Sequence, residues 1–434
     1  MRGSNAAELA GDIERRVADH ELLPGDRLPP VRIVAAELDL APNTVASAYR
    51  RLGERGITIG RGRMGTFVAD RPPVMIPSDP RIRHGLRDLS SGNPDPELLP
   101  NLNAVLRESG GSTVLYGDRS VDEDLAEHGA RLLVADNVLA NHLTVVSGGL
   151  DGMERVLQAH VRRGDRVAIE DPGYPAVIDL VNALGLVAVP MVIDGEGPQS
   201  ESFGNALDQG VAVVIVTPRA QNPFGSAISA DRASDLRSML SQSPEVLVIE
   251  DDHAAAVAGS AMHSISQDRE RWATIRSAAK TYGPDVRLAL LAGDATTIRR
   301  VEGRQRLGPG WVSHVLQRLV AQMMHDPSIS RDVKGAAGLY ASRRRAMLAE
   351  LHERGFEAHG VSGLNVWVPV PDESIAVTAM EEQGFAVRAG SRFRVRSAPG
   401  VRLTVASLSE TEAGNVADAL YQAVSDLGLG TRSG

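Results

Sequence analysis

The chain has 434 residues, 43% of them hydrophobic and 23% charged, with a formal net charge of −9 and no cysteine. This composition is typical of a soluble protein with more than one domain, and the missing thiols exclude disulfides, thiolate metal sites and cysteine nucleophiles. No apolar run approaches membrane-spanning length and the acidic N-terminus does not resemble a secretory signal, so we expect a cytoplasmic protein without membrane contacts or a metal site.

The first predicted elements form a helix-turn-helix followed by a hairpin. Apolar residues recur every four positions over residues 8–20, which predicts an amphipathic helix. A proline-rich turn at residues 23–30 ends this helix. Two short helices follow, one over residues 31–38 and one beginning at Pro42. Residues 56–68 then alternate like a hairpin with a glycine-rich tip, which would form a wing.

The charge of this segment favours DNA binding. Residues 50–63 contain five arginines against one acid, Glu54, which gives a net +4 in an acidic chain. A solvated arginine-rich helix face is the alternative meaning of such a run. Cations bind phosphates, whereas side chains at the start of a recognition helix contact bases. The base-contacting candidates are Asn43, Thr44 and Ser47, and the phosphate-binding candidates are Arg50, Arg61 and Arg63.

Three motifs connect this segment to a known family: residues 23–32, Asn43-Thr44-Val45 and Gly65-Thr66-Phe67-Val68. With them, residues 8–69 resemble the winged-helix DNA-binding domain of GntR-type bacterial regulators. The resemblance implies double-stranded DNA as a partner, contacted by Arg32, Asn43, Thr44, Ser47 and Arg63. Members of this family often have arginine where this chain has Asn43, so the target sequence stays open.

The rest of the chain has the pattern of an α/β domain. Residues 71–88 are rich in proline and basic residues and show no periodicity, which predicts a linker after a first domain at residues 1–70. Beyond it, helical stretches alternate with short apolar runs that predict buried parallel strands of a three-layer α/β domain. These runs are residues 143–146, 166–169, 211–216 and 246–249.

Polar motifs follow these predicted strands, where ligands of such sheets bind. Ser147-Gly148-Gly149 opens a helix whose amides could hold a phosphate. Tyr174 could stack on an aromatic ring, and Asn222 could bind a ring hydroxyl. Asp251 could pair with a protonated pyridine nitrogen. Each motif alone is more often an ordinary turn or cap, but their common order favours one binding site.

Only two lysines occur among the 46 basic residues, Lys280 and Lys334. A lysine amine can form a Schiff base with an aldehyde, which a guanidinium cannot do. Lys280 follows Ser277 by three residues and precedes Arg287 by seven, and a hydroxyl and a fixed cation are groups that bind phosphate. The pattern indicates pyridoxal 5'-phosphate as cofactor, with ordinary surface lysines as the alternative.

In this order the motifs resemble those of fold-type-I aminotransferases, from about Leu89 to about Leu427. The resemblance implies a domain at residues 89–434 with a smaller C-terminal subdomain from about residue 340. It implies that Lys280 forms the Schiff base, that Tyr116 reaches the phosphate of a partner subunit, and that Arg402 binds an effector carboxylate. The other implied cofactor contacts are Ser147, Gly148, Gly149, Tyr174, Asn222, Asp251, His253, Ser277 and Arg287.

A GntR-like winged helix joined to an aminotransferase-like domain resembles the MocR/GabR-type bacterial transcription regulators. The resemblance implies a head-to-tail homodimer that binds paired half-sites in promoter DNA and responds to a small amino compound or to the cofactor. Residues 217–223 and 276–280 look closest to members that govern vitamin B6 metabolism. The alternatives are an aminotransferase with an accessory DNA-binding module and a cofactor-free relic of the fold.

Three residues depart from the family pattern. His253 stands where most members have a tyrosine beside the cofactor ring, and an imidazole there could titrate near neutral pH. Ala279 replaces a common serine and Val121 a common glycine. Because proton transfer depends on tuned neighbours of the lysine, these departures favour a regulator over an efficient transaminase.

Overall fold

The computed structural model describes residues 5–18, 21–23, 25–54, 57–60, 65–69, 82–83, 85–108, 110 and 113–425. They form two compact units, the smaller drawn mainly from the first 81 residues and the larger from most of the remaining chain. Within these ranges, no helix combines the length and the apolar character that crossing a membrane requires.

The smaller unit is a winged helix-turn-helix. Its elements are α1 (Ala6–Ala18), α2 (Val31–Glu37), α3 (Pro42–Glu54) and an antiparallel hairpin of β1 (Thr58–Gly60) and β2 (Thr66–Val68). Asp39 takes a left-handed conformation in the turn between α2 and α3, which aspartate tolerates better than most residues. The hydroxyl of Tyr49 donates to the Pro29 carbonyl at 2.7 Å and so joins α3 to the turn before α2. Most of the residues predicted to face inward are buried, whereas Val17 and Leu38 are only partly buried. The buried ones are Leu9, Ile13, Val34, Val45, Ala48, Tyr49 and Leu52.

The larger unit is an α/β domain of the predicted class. Its helices are α4 (Leu102–Glu108), α5 (Glu123–Ala135), α6 (Gly149–His160), α7 (Pro175–Ala183), α8 (Ser200–Asp208), α9 (Ala230–Leu240), α10 (Ala279–Tyr282), α11 (Ala295–Arg306), α12 (His314–His325), α13 (Pro327–Glu353), α14 (Glu373–Glu382) and α15 (Ala413–Ser425). Its strands are β3 (Arg87–Asp88), β4 (Leu143–Val146), β5 (Arg166–Asp171), β6 (Val187–Asp194), β7 (Gly197–Pro198), β8 (Val213–Val216), β9 (Leu247–Asp252), β10 (Trp272–Ser277), β11 (Ala289–Gly293), β12 (Asn365–Pro369), β13 (Phe385–Ala386), β14 (Arg388–Ala389) and β15 (Gly400–Thr404).

The central sheet has eight strands in the order β4-β11-β10-β9-β8-β5-β6-β7. Strands β8, β9 and β10 are parallel neighbours, whereas β11 runs antiparallel to both β10 and β4. Strand β4 therefore points in the same direction as β8, β9 and β10. Every residue of β8 and β9 is buried, which explains why these segments are so rich in β-branched apolar residues.

The C-terminal part contains a second, smaller sheet in the order β12-β15-β14. A separate hydrophobic cluster joins this sheet to α13, α14 and α15 and includes Leu351, Val366, Met380, Leu403 and Leu420. The predicted linker at residues 71–88 falls mostly outside the described residues. Its last two residues, however, form β3, which pairs in parallel with β13 and so belongs to the folded domain.

Candidate functional site

The C-terminal ends of β4, β8, β9 and β10 lie at one edge of the sheet because these strands share a direction. Each carries a residue predicted from the sequence to bind the cofactor. Ser147 follows β4 directly, Asn222 lies in the loop after β8, Asp251 is the penultimate residue of β9, and Ser277 ends β10. The topology thus gathers side chains that are up to 130 residues apart in the sequence.

Three consecutive acids end β9, and the structure distinguishes their roles. Glu250 accepts hydrogen bonds from three hydroxyls and a backbone amide. Asp252 pairs with Arg276 at 2.7 Å and with Arg219 at 2.9 Å, and although burial opposes ionisation these cations lower its pKa to about 2. Asp251 is also buried, but its Oδ1 makes no hydrogen bond with any described residue. Asp251 is therefore the carboxylate available for a cation.

The surroundings of Asp251 disfavour its charge in the absence of such a cation. Burial raises its pKa to about 7, with further contributions from the charges of Asp252 and Glu170. A protonated pyridine nitrogen would supply the missing counterion. The first residue of α6 lies beside this carboxylate, since a Cβ added at Gly149 would be 3.6 Å from the Asp251 Oδ1.

The N-terminus of α6 has the features of a phosphate cradle. Gly148 has φ 98° and ψ 171°, a conformation that is nearly exclusive to glycine, and no side chain caps the helix there. The Nη2 of Arg287 donates to the Ser147 carbonyl at 3.3 Å, and a Cβ on Gly148 would lie 3.2 Å from the same nitrogen. The Ser147 and Gly148 amides already donate to the Asp151 carboxylate and the Val146 carbonyl. The groups that fit a phosphate are therefore the positive end of the α6 helix dipole, the Arg287 guanidinium and the Ser277 hydroxyl.

Lys280 lies on α10, partly buried, and its Nζ donates to the Gly92 carbonyl at 2.5 Å. Burial and the charge of Arg402 lower its pKa to about 8. A larger fraction of the amine is therefore neutral, and thus nucleophilic, than in an exposed lysine. Lys334 lies on α13 and is exposed, as is usual for a surface lysine.

The side chains of Arg402 and Asn222 contact each other next to Gly92. The Arg402 Nη1 donates to the Asn222 Oδ1 at 3.0 Å, and its Nη2 donates to the Ser90 carbonyl. A Cβ on Gly92 would lie 3.2 Å from the Arg402 guanidinium, so the lysine and the arginine contact the same stretch of backbone. The structure therefore brings the predicted carboxylate-binding arginine into the same site as Lys280.

His253 does not titrate near neutral pH, contrary to the expectation from its residue type. Burial and the charge of Lys280 lower its pKa to about 4. Its Nε2 hydrogen-bonds the Ala220 carbonyl at 2.8 Å, so Nε2 carries the proton and Nδ1 is an acceptor. The ring is therefore neutral at physiological pH.

The two predicted tyrosines have different environments. Tyr174 is 38% exposed and lines a small cavity together with Asp251 and Thr217, a position from which it could cover a ring paired with Asp251. Tyr116 is 94% exposed and packs edge-on against Trp311 at 5.5 Å between ring centroids.

Sequence reasoning missed the buried arginines around Asp252. Arg219 and Arg276 each pair with both Asp252 and Asp136. The signal was present, because each arginine lies within three residues of a predicted cofactor contact, Asn222 or Ser277. A charged residue in so apolar a segment indicates a buried partner.

Three of the four predicted DNA-contacting residues of α3 share one face. Asn43 and Arg50 are exposed and Ser47 is partly exposed, at helical spacings of four and three residues, while Val45 and Leu52 on the other face are buried. Thr44 is partly exposed and Arg32, on α2, is exposed. Arg61 and Arg63 lie outside the described residues.

Comparison with known proteins agrees with both units. Residues 85–420 match the family model of class I and II aminotransferases, and residues 5–68 match that of the gntR family of bacterial regulatory proteins. An archaeal alanine:glyoxylate aminotransferase superposes with a TM-score of 0.72 at 20% identity over 79% of this chain and 91% of that one. The kynurenine aminotransferase of Pyrococcus horikoshii superposes with a TM-score of 0.71 at 21% identity over 80% and 92%.

Two curated relatives extend over both units. The vitamin B6 salvage pathway transcriptional repressor PtsJ of Salmonella typhimurium is 39% identical over 97% of this chain and 99% of its own length. The HTH-type transcriptional regulator TauR of Rhodobacter capsulatus is 23% identical over 90% of each chain.

Fold, site and relatives define a transcriptional regulator in which a GntR-type winged helix is joined to an aminotransferase-like domain. The chain belongs to the MocR/GabR-type family of bacterial regulators. The cofactor of its aminotransferase-like domain is pyridoxal 5'-phosphate, as expected from the sequence.

Proposed function

We propose that the larger unit senses the supply of pyridoxal 5'-phosphate and that the winged helix controls genes of vitamin B6 metabolism. The observation that carries the proposal is the buried Asp251 Oδ1, which has no partner among the described residues and lies beside the phosphate cradle. The 39% identity to a repressor of vitamin B6 salvage, over nearly the whole of both chains, supports this choice of target genes.

In this proposal Lys280 holds the cofactor through its amine, Asp251 balances the charge of the ring, and Ser277, Arg287 and the α6 N-terminus hold the phosphate. When bound, the cofactor supplies an aldehyde to which amines add and a ring that withdraws electrons. The neutral His253 donates from Nε2 to the Ala220 carbonyl and keeps Nδ1 as an acceptor.

An amino acid is the second candidate effector, and Arg402 favours it. This arginine is buried beside the Lys280 site and is positioned by Asn222, by the Ser90 carbonyl and by the Phe393 ring 5.0 Å from its guanidinium carbon. A planar guanidinium is suited to a carboxylate. An amine that reaches Lys280 could thus present its carboxylate to Arg402.

The proposed assembly is a head-to-tail homodimer in the cytoplasm that binds paired half-sites. Several large apolar side chains of the larger unit are exposed. The ring contact between Tyr116 and Trp311 holds two of the segments that carry these side chains close to each other. Such a patch is typical of a subunit interface. These exposed residues are Leu115, Tyr116, Leu307 and Val315.

We also propose a winged-helix domain at residues 1–70, a linker beginning at residue 71 and a C-terminal subdomain from about residue 340.

The test combines a gel shift with a chemical trap. The purified protein should retard the intergenic DNA upstream of its gene at low salt, and added cofactor should change the affinity. Borohydride reduction followed by peptide mass spectrometry should place the cofactor on Lys280. Lys280→Ala should lose both the adduct and the response of DNA binding to cofactor, while Lys334→Ala, a change of the exposed lysine, should retain both.

Two outcomes would contradict the proposal. An adduct that survives Lys280→Ala would move the cofactor elsewhere. A chain that binds cofactor normally but retards no upstream DNA, with or without cofactor, would favour the aminotransferase alternative. Sedimentation equilibrium tests the dimer, and a monomer at micromolar concentration would refute it.

A further inference from the structure

A buried carboxylate outside the cofactor contacts fixes a loop beside Arg402. Asp171 ends β5 of the central sheet, and its side chain is buried. Its two oxygens accept four hydrogen bonds of 2.7–3.0 Å from residues 395–397. The donors are three consecutive backbone amides and the Ser397 hydroxyl. These residues belong to the loop that leads into β15, the strand that carries Arg402.

The loop and the carboxylate depend on each other. A buried charge is unfavourable unless hydrogen bonds replace those that it lost with water. Among the described residues, the donors to Asp171 are all neutral groups of this one loop. The loop must therefore keep a single conformation for the carboxylate to stay fully hydrogen-bonded. The Gly173 amide adds a further link, because it donates to the Phe393 carbonyl at 2.8 Å.

A second acid holds the two ends of the same loop. Glu373 of α14 is buried and accepts hydrogen bonds from the Ser391 amide at 2.6 Å and from the Gly400 amide at 3.1 Å. Gly400 is the first residue of β15. The ends of the loop are thus bound to the elements around the smaller sheet, whereas Asp171 fastens its middle to the central sheet.

The loop places Phe393 against Arg402. Phe393 is buried, and its ring centroid lies 5.0 Å from the guanidinium carbon of Arg402, within the range in which a cation is attracted to an aromatic face. Phe393 also contacts Trp367, at 6.3 Å between ring centroids, and Trp367 lies directly opposite Arg402 in the register of β12 and β15. The position of this aromatic wall depends on the backbone that Asp171 holds.

The wall bears on carboxylate binding because a guanidinium is planar. It grips a carboxylate through two parallel N–H bonds only when the two groups share a plane. A side chain that does this must itself be held in place by its neighbours. Release of Phe393 from Arg402 would free the guanidinium to tilt, and a tilted guanidinium keeps one of the two bonds.

We propose that Asp171 is a positioning residue of the effector site: through residues 393–397 it holds Phe393 against Arg402 and so orients the guanidinium for the carboxylate of an amino compound. This inference rests on the proposed role of Arg402 in binding such a carboxylate.

The experiment compares two amines on the full-length, cofactor-loaded protein. L-Alanine is ethylamine with a carboxylate on the carbon that bears the amine, and the change in cofactor absorbance gives an apparent dissociation constant for each. The ratio of the two constants is the carboxylate preference. An asparagine at position 171 has one acceptor oxygen and cannot serve all four donors. Asp171→Asn should therefore lower the preference about tenfold, as for one hydrogen bond to a charged group, and leave ethylamine unchanged.

Asp294→Asn is the matched control. Asp294 likewise accepts four hydrogen bonds from three backbone amides and one hydroxyl, which belong to Trp272, Thr296 and Thr297. It follows β11 at the opposite edge of the sheet from the cofactor contacts, since β11 runs antiparallel to β10. Both variants should lower the thermal midpoint, but Asp294→Asn should keep the carboxylate preference of the parent protein.

Two further measurements act on the loop itself. Hydrogen exchange followed by mass spectrometry should be faster in residues 395–397 of Asp171→Asn than in the parent protein. Ser397→Ala removes one of the four hydrogen bonds, so it should lower the carboxylate preference by a smaller factor, about two- to threefold. This milder variant carries the test if Asp171→Asn does not fold.

Arg402→Lys separates the two ways in which the inference can fail. It removes the planar fork and should lower the carboxylate preference, and adding Asp171→Asn should lower it no further because both changes act on one guanidinium. A parent protein without the preference, or an Arg402→Lys variant that keeps it, contradicts the proposed role of Arg402. If Arg402→Lys loses the preference, the positioning role alone is overturned by any of three results. These are a preference that Asp171→Asn and Ser397→Ala retain, one that Asp294→Asn lowers equally, and unchanged exchange in residues 395–397.

Discussion

Replacing Asp251 with asparagine should stabilise the cofactor-free protein at pH 8 and weaken its binding of pyridoxal phosphate. Burial, with the charges of Asp252 and Glu170, raises the pKa of Asp251 from its ordinary 3.8 to about 7. A tenfold change in proton affinity is worth about 1.4 kcal/mol, so an ionised Asp251 costs the folded state about 4 kcal/mol at pH 8. The asparagine amide remains buried without a partner, at a cost of about 1–3 kcal/mol. The expected net gain is therefore about 1–3 kcal/mol.

The pH dependence of this gain follows from the direction of the shift. An acid whose folded pKa is raised is protonated in the folded state at low pH, and its cost appears only as the pH rises from about 4 to about 7. The advantage of Asp251→Asn should consequently be full at pH 8 and lost near pH 4, where only the cost of the buried amide, about 1–3 kcal/mol, remains. Urea denaturation of both cofactor-free proteins at the two pH values measures it. The account of Asp251 as a carboxylate that lacks a counterion would be refuted by either of two results. One is a variant that is no more stable than the parent protein at pH 8, and the other is a gain in the free energy of unfolding that is the same at both pH values.

The neighbouring Asp252 provides the matched control. The same change there leaves Arg219 and Arg276 with one carboxylate fewer, and breaking a buried pair costs about 3–5 kcal/mol. Asp252→Asn should therefore destabilise the protein at pH 8, opposite in sign to Asp251→Asn. Its pKa of about 2 means that the stabilisation lost is present above pH 4 and disappears as the pH falls toward 2.

Three other substitutions test the remaining parts of the sites. Gly148→Ala places a side chain at a positive φ, which costs about 1–3 kcal/mol, and the added Cβ presses on Arg287. The affinity for the cofactor, measured by absorbance, should therefore fall at least tenfold. The control is Gly164→Ala, which is also at positive φ but has no neighbour within 4 Å and should lower stability alone. Arg50→Ala should weaken binding to all DNA sequences and reduce the salt dependence by about one phosphate contact in a gel-shift series. Asn43→Ala should change the base preference in a panel of altered half-sites, and an unchanged preference would assign base recognition to another residue.

The elements that the sequence predicted best are those in which one pattern dominates. The helices of the winged helix follow from apolar residues on a single face, and β8 and β9 follow from runs of valine and isoleucine that are buried at every position. The site motifs followed from these strands, because parallel strands gather their C-terminal loops at one edge.

Strand β10 shows why the prediction was incomplete. It is buried at every position, yet it contains Thr274 and Arg276, which break its apolar pattern. The register places Thr274 beside Glu250 and Arg276 beside Asp252 on β9, and both pairs are hydrogen-bonded. Polar residues that are satisfied by a neighbouring strand cannot be recognised as buried until that neighbour is known. The neutral state of His253 was likewise hidden, since it results from burial and from a lysine 27 residues away in the sequence.

The same dependence on neighbours bears on why this fold suits a sensor. A ligand can shift a conformational equilibrium only by the difference in its interaction free energy with the two states. Asp251 and Lys280 are both held away from their charged forms in the cofactor-free site, as the raised pKa of the acid and the lowered pKa of the amine show. When the cofactor is present, Asp251 gains a counterion and Lys280 is relieved of an isolated buried charge. The removal of these two unfavourable electrostatic interactions adds to the free-energy difference between the cofactor-bound and the cofactor-free protein. A site in which both groups already had partners could bind the cofactor, but less of the binding free energy would be available to shift the conformational equilibrium.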